Sequence, residues 1–206
     1  DTYIYGQGYD HDTIYDLGDG LPQGDNIDKV VFAEDIAPTD IAISRTGNSN
    51  DLVLTVTETG DTLTVKDQFL AFTYGQKFYQ IEEFIFSDGT IWNADYFRPV
   101  LLAQAKTGGD DIIHGFHTAD RMDGGTGNDI LHGGGGGDTF VYGYGYGNDT
   151  VDAYLIYVSW DFPDTIEFTG GVTVGDIQLV RSSDDLIVTL AGSGEQITVL
   201  DQFGYY

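Results

Sequence analysis

The chain has 206 residues and a formal charge of −26 at pH 7. So large a negative excess argues against nucleic acid and anionic membrane surfaces as partners, since both would repel it. The absence of cysteine excludes disulfides and thiolate metal sites, and no apolar run approaches the length of a transmembrane helix. The acid is nearly all aspartate, 28 Asp against 6 Glu, and it accompanies 29 Gly. Short carboxylates with glycine point to many tight turns, and to turns that hold hard cations. Composition alone equally allows a loop-rich acidic surface. No signal peptide is visible, and the opening at Asp1 without a start Met reads as a fragment of a larger protein.

The first predicted elements belong to a long repeat that pairs residues 1–69 with 138–203. Asp1-Thr-Tyr-Ile-Tyr-Gly matches Asp138-Thr-Phe-Val-Tyr-Gly, and Asp12-Thr-Ile matches Asp149-Thr-Val. Asp40-Ile-Ala-Ile matches Asp176-Ile-Gln-Leu, and Leu63-Thr-Val-Lys-Asp-Gln-Phe matches Ile197-Thr-Val-Leu-Asp-Gln-Phe. Within each copy apolar residues alternate: Leu52, Leu54 and Val56, then Leu63 and Val65. In the second copy Ile177 and Leu179, then Leu186, Val188 and Leu190, do the same. Period two predicts half-buried strands. Asn48-Ser-Asn-Asp51 and Thr59-Gly-Asp61 predict hairpin turns. One helix is expected near 93–105, capped by Asn93 and interrupted or restarted at Pro99.

Between the copies runs a shorter repeat. Gly124-Gly-Thr-Gly-Asn-Asp-Ile-Leu-His and Gly133-Gly-Gly-Gly-Gly-Asp-Thr-Phe-Val both fit Gly-Gly-x-Gly-x-Asp-x-U-x, with U a large apolar residue. Weaker frames start at Lys106, keeping Gly109, Asp111 and Ile113, and at Gly115, keeping Asp120 and Met122. After a two-residue slip a further frame starts at Tyr144 and keeps Asp149 and Val151. Six residues of each frame make a turn and three make a short strand with its middle side chain inward. Two frames close one coil, so each turn stacks on the turn two frames later. That brings Asp111 to Asp129 and Asp120 to Asp138, with Asp129 and Asp149 as a third pair across the slip. Stacked carboxylates repel unless a cation separates them. With carbonyls turned inward at glycines, the donor set is all oxygen, which suits calcium. The candidate metal residues are therefore Asp111, Asp120, Asp129, Asp138 and Asp149 with Gly109, Gly124, Gly125, Gly127, Gly133, Gly134 and Gly136. Two or three calcium ions are expected. Asp1 and Asp12, the partners of Asp138 and Asp149 in the long repeat, read as remnants of an earlier array.

The nonapeptide run resembles the haemolysin-type calcium-binding repeats of RTX (repeat-in-toxin) proteins. The flanking copies resemble the haemolysin-type calcium-binding-related domain, on Asp1-Thr-Tyr-Ile-Tyr-Gly, Asp51-Leu-Val-Leu, Asp61-Thr-Leu-Thr-Val and Ile81-Glu-Glu-Phe-Ile-Phe-Ser-Asp-Gly-Thr-Ile-Trp92. The expected fold is all-β: a parallel β-roll at 106–152, flanked by β-rich units at 1–105, which includes the helical connector, and at 153–206, the second copy beginning at about 138. The resemblance implies a secreted bacterial exoprotein or toxin. It would leave the cell through the type 1 secretion machinery and fold on calcium outside, in solution or at a cell surface. Lys106, Thr107, Thr118 and Ala119 depart from the repeat pattern in the first two turns.

Other groupings carry competing readings. His114 and His132 share a frame position, as solvated surface residues or as a transition-metal pair. Tyr142, Tyr144 and Tyr146 with Tyr154, Tyr157, Trp160 and Phe162 are either strand and core aromatics or a stacking platform for a cell-surface glycan. In the glycan reading Tyr144, Tyr146 and Trp160 are the contact residues. Glu82 and Glu83 point to opposite strand faces and read as rim charges. No Gly-x-Ser-x-Gly, His-Glu-x-x-His or phosphate loop is present, so the expectation is a scaffold and not an enzyme. A calcium-dependent adhesin or carbohydrate-binding module, or an accessory domain of a secreted enzyme, is the alternative.

Overall fold

Wherever the sequence alternates apolar and polar residues, the chain forms strands. The structure, a computed structural model, describes residues 1–16, 27–70, 80–152 and 163–204. It is mostly β with one helix among the described residues, and it divides into two compact units, Asp1–Leu101 and Leu102–Tyr206.

In the first unit β1 (Thr2–Tyr5), β2 (His11–Ile14), β3 (Lys29–Phe32), β4 (Ile41–Ser44), β5 (Leu52–Val56), β6 (Thr62–Val65), β7 (Glu83–Ile85) and β8 (Ile91–Trp92) make two four-stranded sheets. Their orders are β1-β3-β7-β8 and β2-β6-β5-β4. Leu52, Leu54, Val56, Leu63 and Val65 are buried, while the intervening Val53, Thr55, Thr62 and Thr64 are half-buried. In register, Ile43 faces Leu54 and Leu54 faces Leu63. The expected hairpins join β4 to β5 and β5 to β6, the second turning on Gly60 at φ +81°. In the other sheet Phe32 stacks on Phe86 at 4.5 Å, and Trp92 meets Phe86 edge-on at 4.6 Å. The buried Gln68 amide closes onto Ile81, donating to its carbonyl at 2.8 Å and accepting its amide at 2.9 Å.

The helix α1 spans Ala94–Ala105, and Asn93 caps it by accepting the Tyr96 amide at 3.0 Å. Pro99 does not interrupt it, contrary to the expectation from sequence. An interior proline forfeits one backbone bond. Packing holds the helix regardless: its Phe97 is fully buried and meets Phe84 edge-on at 4.9 Å, and its Leu101 is buried as well.

In the second unit β9 (Ile112–His114), β10 (Arg121–Asp123), β11 (Ile130–His132), β12 (Thr139–Gly143), β13 (Asp149–Asp152), β14 (Thr165–Thr169), β15 (Ile177–Ser182), β16 (Asp185–Leu190) and β17 (Gln196–Val199) also make two sheets. One is β10-β12-β14, all parallel. The other is β15-β16-β17-β13-β11-β9, parallel from β17 to β9 and antiparallel beyond. The nonapeptide strands and the second copy of the long repeat thus share a sheet. Leu179 is 64 % exposed, whereas its counterpart Ile43 in the first unit is 8 % exposed.

Leu54 is fully buried at the centre of its meander. Leu54→Ala is expected to destabilise the first unit by about 3 kcal/mol, read as a lower urea midpoint with an unchanged slope.

Candidate metal centre

Three-residue strands with only one inward side chain each cannot hold their register by apolar contact alone. Ile113, Leu131 and Val151 align across β9, β11 and β13, and Met122 and Phe140 align across β10 and β12. All five are at most 1 % exposed. The turns between the strands supply the remaining order.

From the second coil onward, each turn aspartate uses one oxygen to hold the coil before it. Asp129 Oδ1 accepts the Asp111 amide at 2.9 Å, eighteen residues back (|i−j|=18). Asp138 Oδ1 accepts the Asp120 amide at 2.9 Å, and Asp149 Oδ1 accepts the Asp129 amide at 3.0 Å across the slip. The second oxygens turn into their own loops. Asp111 Oδ2 takes the Thr107 amide and Asp120 Oδ2 the Phe116 amide, both at 2.6 Å. Asp129 Oδ2 and Asp149 Oδ2 are buried with no hydrogen-bond partner. The other such orphans among the described residues, Thr118 Oγ1 and Asp123 Oδ1, lie in the same stretch. An orphaned buried carboxylate oxygen is costly unless something positive meets it.

The glycines are where this stacking leaves no room for a side chain. A Cβ on Gly124 would lie 2.3 Å from Asp129 Oδ2, and one on Gly133 2.4 Å from Asp138 Oδ2. At Gly127 it would strike the Gly109 carbonyl oxygen at 2.4 Å, and at Gly134 the Phe116 carbonyl oxygen at 2.1 Å. Gly136 sits as close over Ala119, and Gly125 lies over Lys106 and the Thr107 carbonyl. Gly109, in the first turn, meets nothing closer than 3.9 Å. The predicted aspartates and glycines are thus brought together turn over turn. They offer carboxylate and carbonyl oxygens, with no sulfur or imidazole, which is the donor set of a hard divalent ion.

Electrostatics agree with the geometry. Burial, then the neighbouring Asp120 and Asp164, pushes Asp138 up to about 7. Burial, then Asp129 and Glu195, pushes Asp149 up to about 7. Burial and then Asp111 raise Asp129 as well, against the lowering effect of the Asp111 amide. In each case the bare carboxylate is disfavoured where it stands.

Sequence reasoning missed part of the arrangement. Position five of alternate frames, Asp110, Asn128 and Asn148, forms a second ladder running the other way. Asp110 Oδ1 accepts the Asn128 amide at 2.7 Å, Asn128 Oδ1 the Asn148 amide at 3.0 Å, and Asn148 Oδ1 the Gln196 amide at 3.1 Å. The recurrence of Asp or Asn there was the available signal. Asp164 ends the first ladder by accepting the Asp138 amide at 2.8 Å. Its match to Asp28 in the long repeat was the clue. Glu195 caps the last turn, taking the Gly145 and Gly147 amides at 3.0 and 3.3 Å.

The remaining candidates fall elsewhere. His114 and His132 stack face to face at 4.6 Å, with His132 Nδ1 3.1 Å from Asp152 Oδ2. Tyr142 is fully buried and donates to the Gly147 carbonyl at 2.6 Å, so it is a core residue. Tyr144 and Tyr146 are half-buried. Trp160, with Tyr154, Tyr157 and Phe162, lies outside the described residues. Glu83 pairs with Lys29 at 3.2 Å, and Glu82 accepts the Asp28 amide at 2.8 Å. In the first unit the Asp1, Asp16 and Asp28 carboxylates converge within 4.8 Å, and the Asp1 amino group bonds Asp28.

Residues 51–96 match the haemolysin-type calcium binding protein related domain. The match covers the meander from β5 to the start of α1 and stops short of the nonapeptide turns. Among solved structures, the extracellular lipase LipA from Serratia marcescens is similar at 16 % identity over 97 % of this chain, with a TM-score of 0.33. The chain spans 32 % of that lipase's length, and a likeness at this level carries no weight for fold or activity. No curated protein matches the chain.

Gly127 sits at φ +135° against the Gly109 carbonyl. Gly127→Ala is expected to strain that turn by about 1–3 kcal/mol, seen as weaker calcium binding in calorimetry. The raised Asp138 and Asp149 values also set a pH dependence. Between their ordinary value and about 7 the folded chain holds protons that the unfolded chain releases. The calcium-free fold therefore gains stability as pH falls through that window and loses it as pH rises. A calcium ion held by these carboxylates would displace those protons, so its affinity is expected to fall by roughly tenfold per pH unit for each proton displaced below pH 7. Calorimetric titrations at pH 8 and pH 6 check both the affinity and the proton release.

Proposed function

We propose that residues 106–152 form a calcium-binding parallel β-roll, and that the chain is a calcium-driven folding scaffold in a secreted bacterial protein. The observation that carries the reading is the pair of buried, partnerless oxygens on Asp129 and Asp149, in turns where glycines let the backbone carbonyls of one coil press against the next. Asp111 with Asp129, Asp120 with Asp138, and Asp129 with Asp149 would hold two or three ions. A bound divalent ion supplies the positive charge that these carboxylates lack.

The family match at 51–96 supports a calcium-associated setting. The charge supports a conditional fold. With −26 on 206 residues and thin apolar contact in the ladders, metal binding contributes much of the folding free energy. Where calcium is scarce the chain stays expanded, a state suited to export through a type 1 machinery. Where calcium is abundant, outside the cell, it folds. In this reading the β-rich units at 1–105 and 153–206 are repeats of one module, and the chain performs no catalysis of its own.

Far-ultraviolet circular dichroism in calcium and in excess chelator tests the reading directly. Strand signal is expected to collapse in chelator and return on calcium addition, and identical spectra would overturn the proposal. In calorimetry Asp129→Ala is expected to cost more calcium than Asp111→Ala, because Asp129 belongs to two of the three pairs.

A further inference from the structure

We infer that the outer edges of β1 and β2 are a docking site for a further calcium-loaded nonapeptide coil, with Asp1 and Asp12 as its receiving carboxylates. The inference rests on the calcium reading above and extends it to the first unit.

The two units repeat one another down to single hydrogen bonds. Tyr5 donates to the Asp10 carbonyl at 3.3 Å as Tyr142 donates to the Gly147 carbonyl at 2.6 Å. The Gly8 amide bonds Asp61 as the Gly145 amide bonds Glu195. The Asp1 nitrogen bonds Asp28 as the Asp138 amide bonds Asp164. β1 and β2 are therefore the counterparts of β12 and β13. In the second unit β12 and β13 carry β10 and β11 on the edges away from β14 and β17. Asp138 and Asp149 there accept the amides of Asp120 and Asp129, while the Thr139 and Thr150 amides donate back to the Asp120 and Asp129 carbonyls, both at 2.8 Å.

In the first unit β1 and β2 are the end strands of their sheets among the described residues. The side chains at these positions differ accordingly. Ile4 is 68 % exposed where its counterpart Val141 is 3 % exposed. Asp12 is exposed where Asp149 is buried at 2 %. Unpaired strand edges with an exposed apolar residue favour strand addition. A second copy of the chain is a poor occupant, because its β10 and β11 are already covered by its own β12 and β13. What fits is a coil with the pattern of residues 106–137, entering in the register that places its last residue immediately before Asp1.

The test fuses a duplicate of residues 106–137 directly to Asp1 of the full chain. Calcium stoichiometry is read by calorimetry, amide exchange at Thr13 (the counterpart of Thr150) by NMR, and mass by light scattering. The parent chain is titrated first: if it takes no calcium, the reading in the previous subsection fails, independently of this one. With a calcium-binding parent, the fusion is expected to bind twice as many ions as a monomer and to exchange Thr13 at least tenfold more slowly. Asp12→Ala is expected to remove one ion from the fusion and none from the parent. Parental stoichiometry, unslowed exchange at Thr13, dimerisation through β1, or a fusion that fails to fold in calcium would each overturn the inference.

Discussion

Asp129, Asp138 and Asp149 in the second unit each face two demands at once. One oxygen is committed to the backbone amide of the preceding coil, and at Asp129 and Asp149 the other is sealed from water with no partner. Most of the local architecture follows from that division. The carboxylate must be short, so that it reaches an amide one coil away while remaining inside its own turn; glutamate would overshoot. The residue opposite must be glycine, because a Cβ at Gly124 or Gly133 would occupy the oxygen's place. The opposite ladder through Asp110, Asn128 and Asn148 then fixes the turn from its other side. Apolar contact contributes one inward residue per strand and leaves register to these polar bonds.

The β-rich repeat finishes this structure. A run of stacked coils ends in bare amides and carbonyls, and the second unit terminates both ladders with side chains and strands of its own. Asp164 takes the last amide on one side, Gln196 supplies the last donor on the other, and Glu195 closes over the final turn. β14 and β17 extend the two sheets in parallel before the antiparallel meander of β15, β16 and β17 turns the edge away. The same parts recur in the first unit, down to the left-handed Asp67 and Asp201 at φ +56° and +52°.

Much of this was legible in the sequence because period and spacing are local properties. The alternation at Leu52-Val53-Leu54 fixed the buried face, Asn93 marked the helix start, and the nine-residue spacing placed Asp111, Asp129 and Asp149 on one line. What escaped notice depended on partners distant in sequence. Nothing local to Glu195 announces that it will meet Gly145 and Gly147, roughly fifty residues earlier (|i−j|=50 and 48). Pro99 misled for the opposite reason: its local cost is real, and the burial of Phe97 and Leu101 outweighs it. The aspartates were expected to face each other across an ion; half of each carboxylate instead serves the backbone, a division that composition and spacing do not reveal.

The alternation of turns between two ladders has an evolutionary corollary. Odd-numbered frames feed the parallel run of strands that continues into β17, and even-numbered frames feed the sheet that ends on β14. Gain or loss of a single nine-residue frame would exchange these destinations and present every later turn to the wrong terminator. Gain or loss of two frames leaves the junction intact. Arrays of this design should therefore lengthen and shorten in steps of eighteen residues (|i−j|=18 between stacked turns). The extra pair before Tyr144 sits at the last coil, where no further frame inherits the offset.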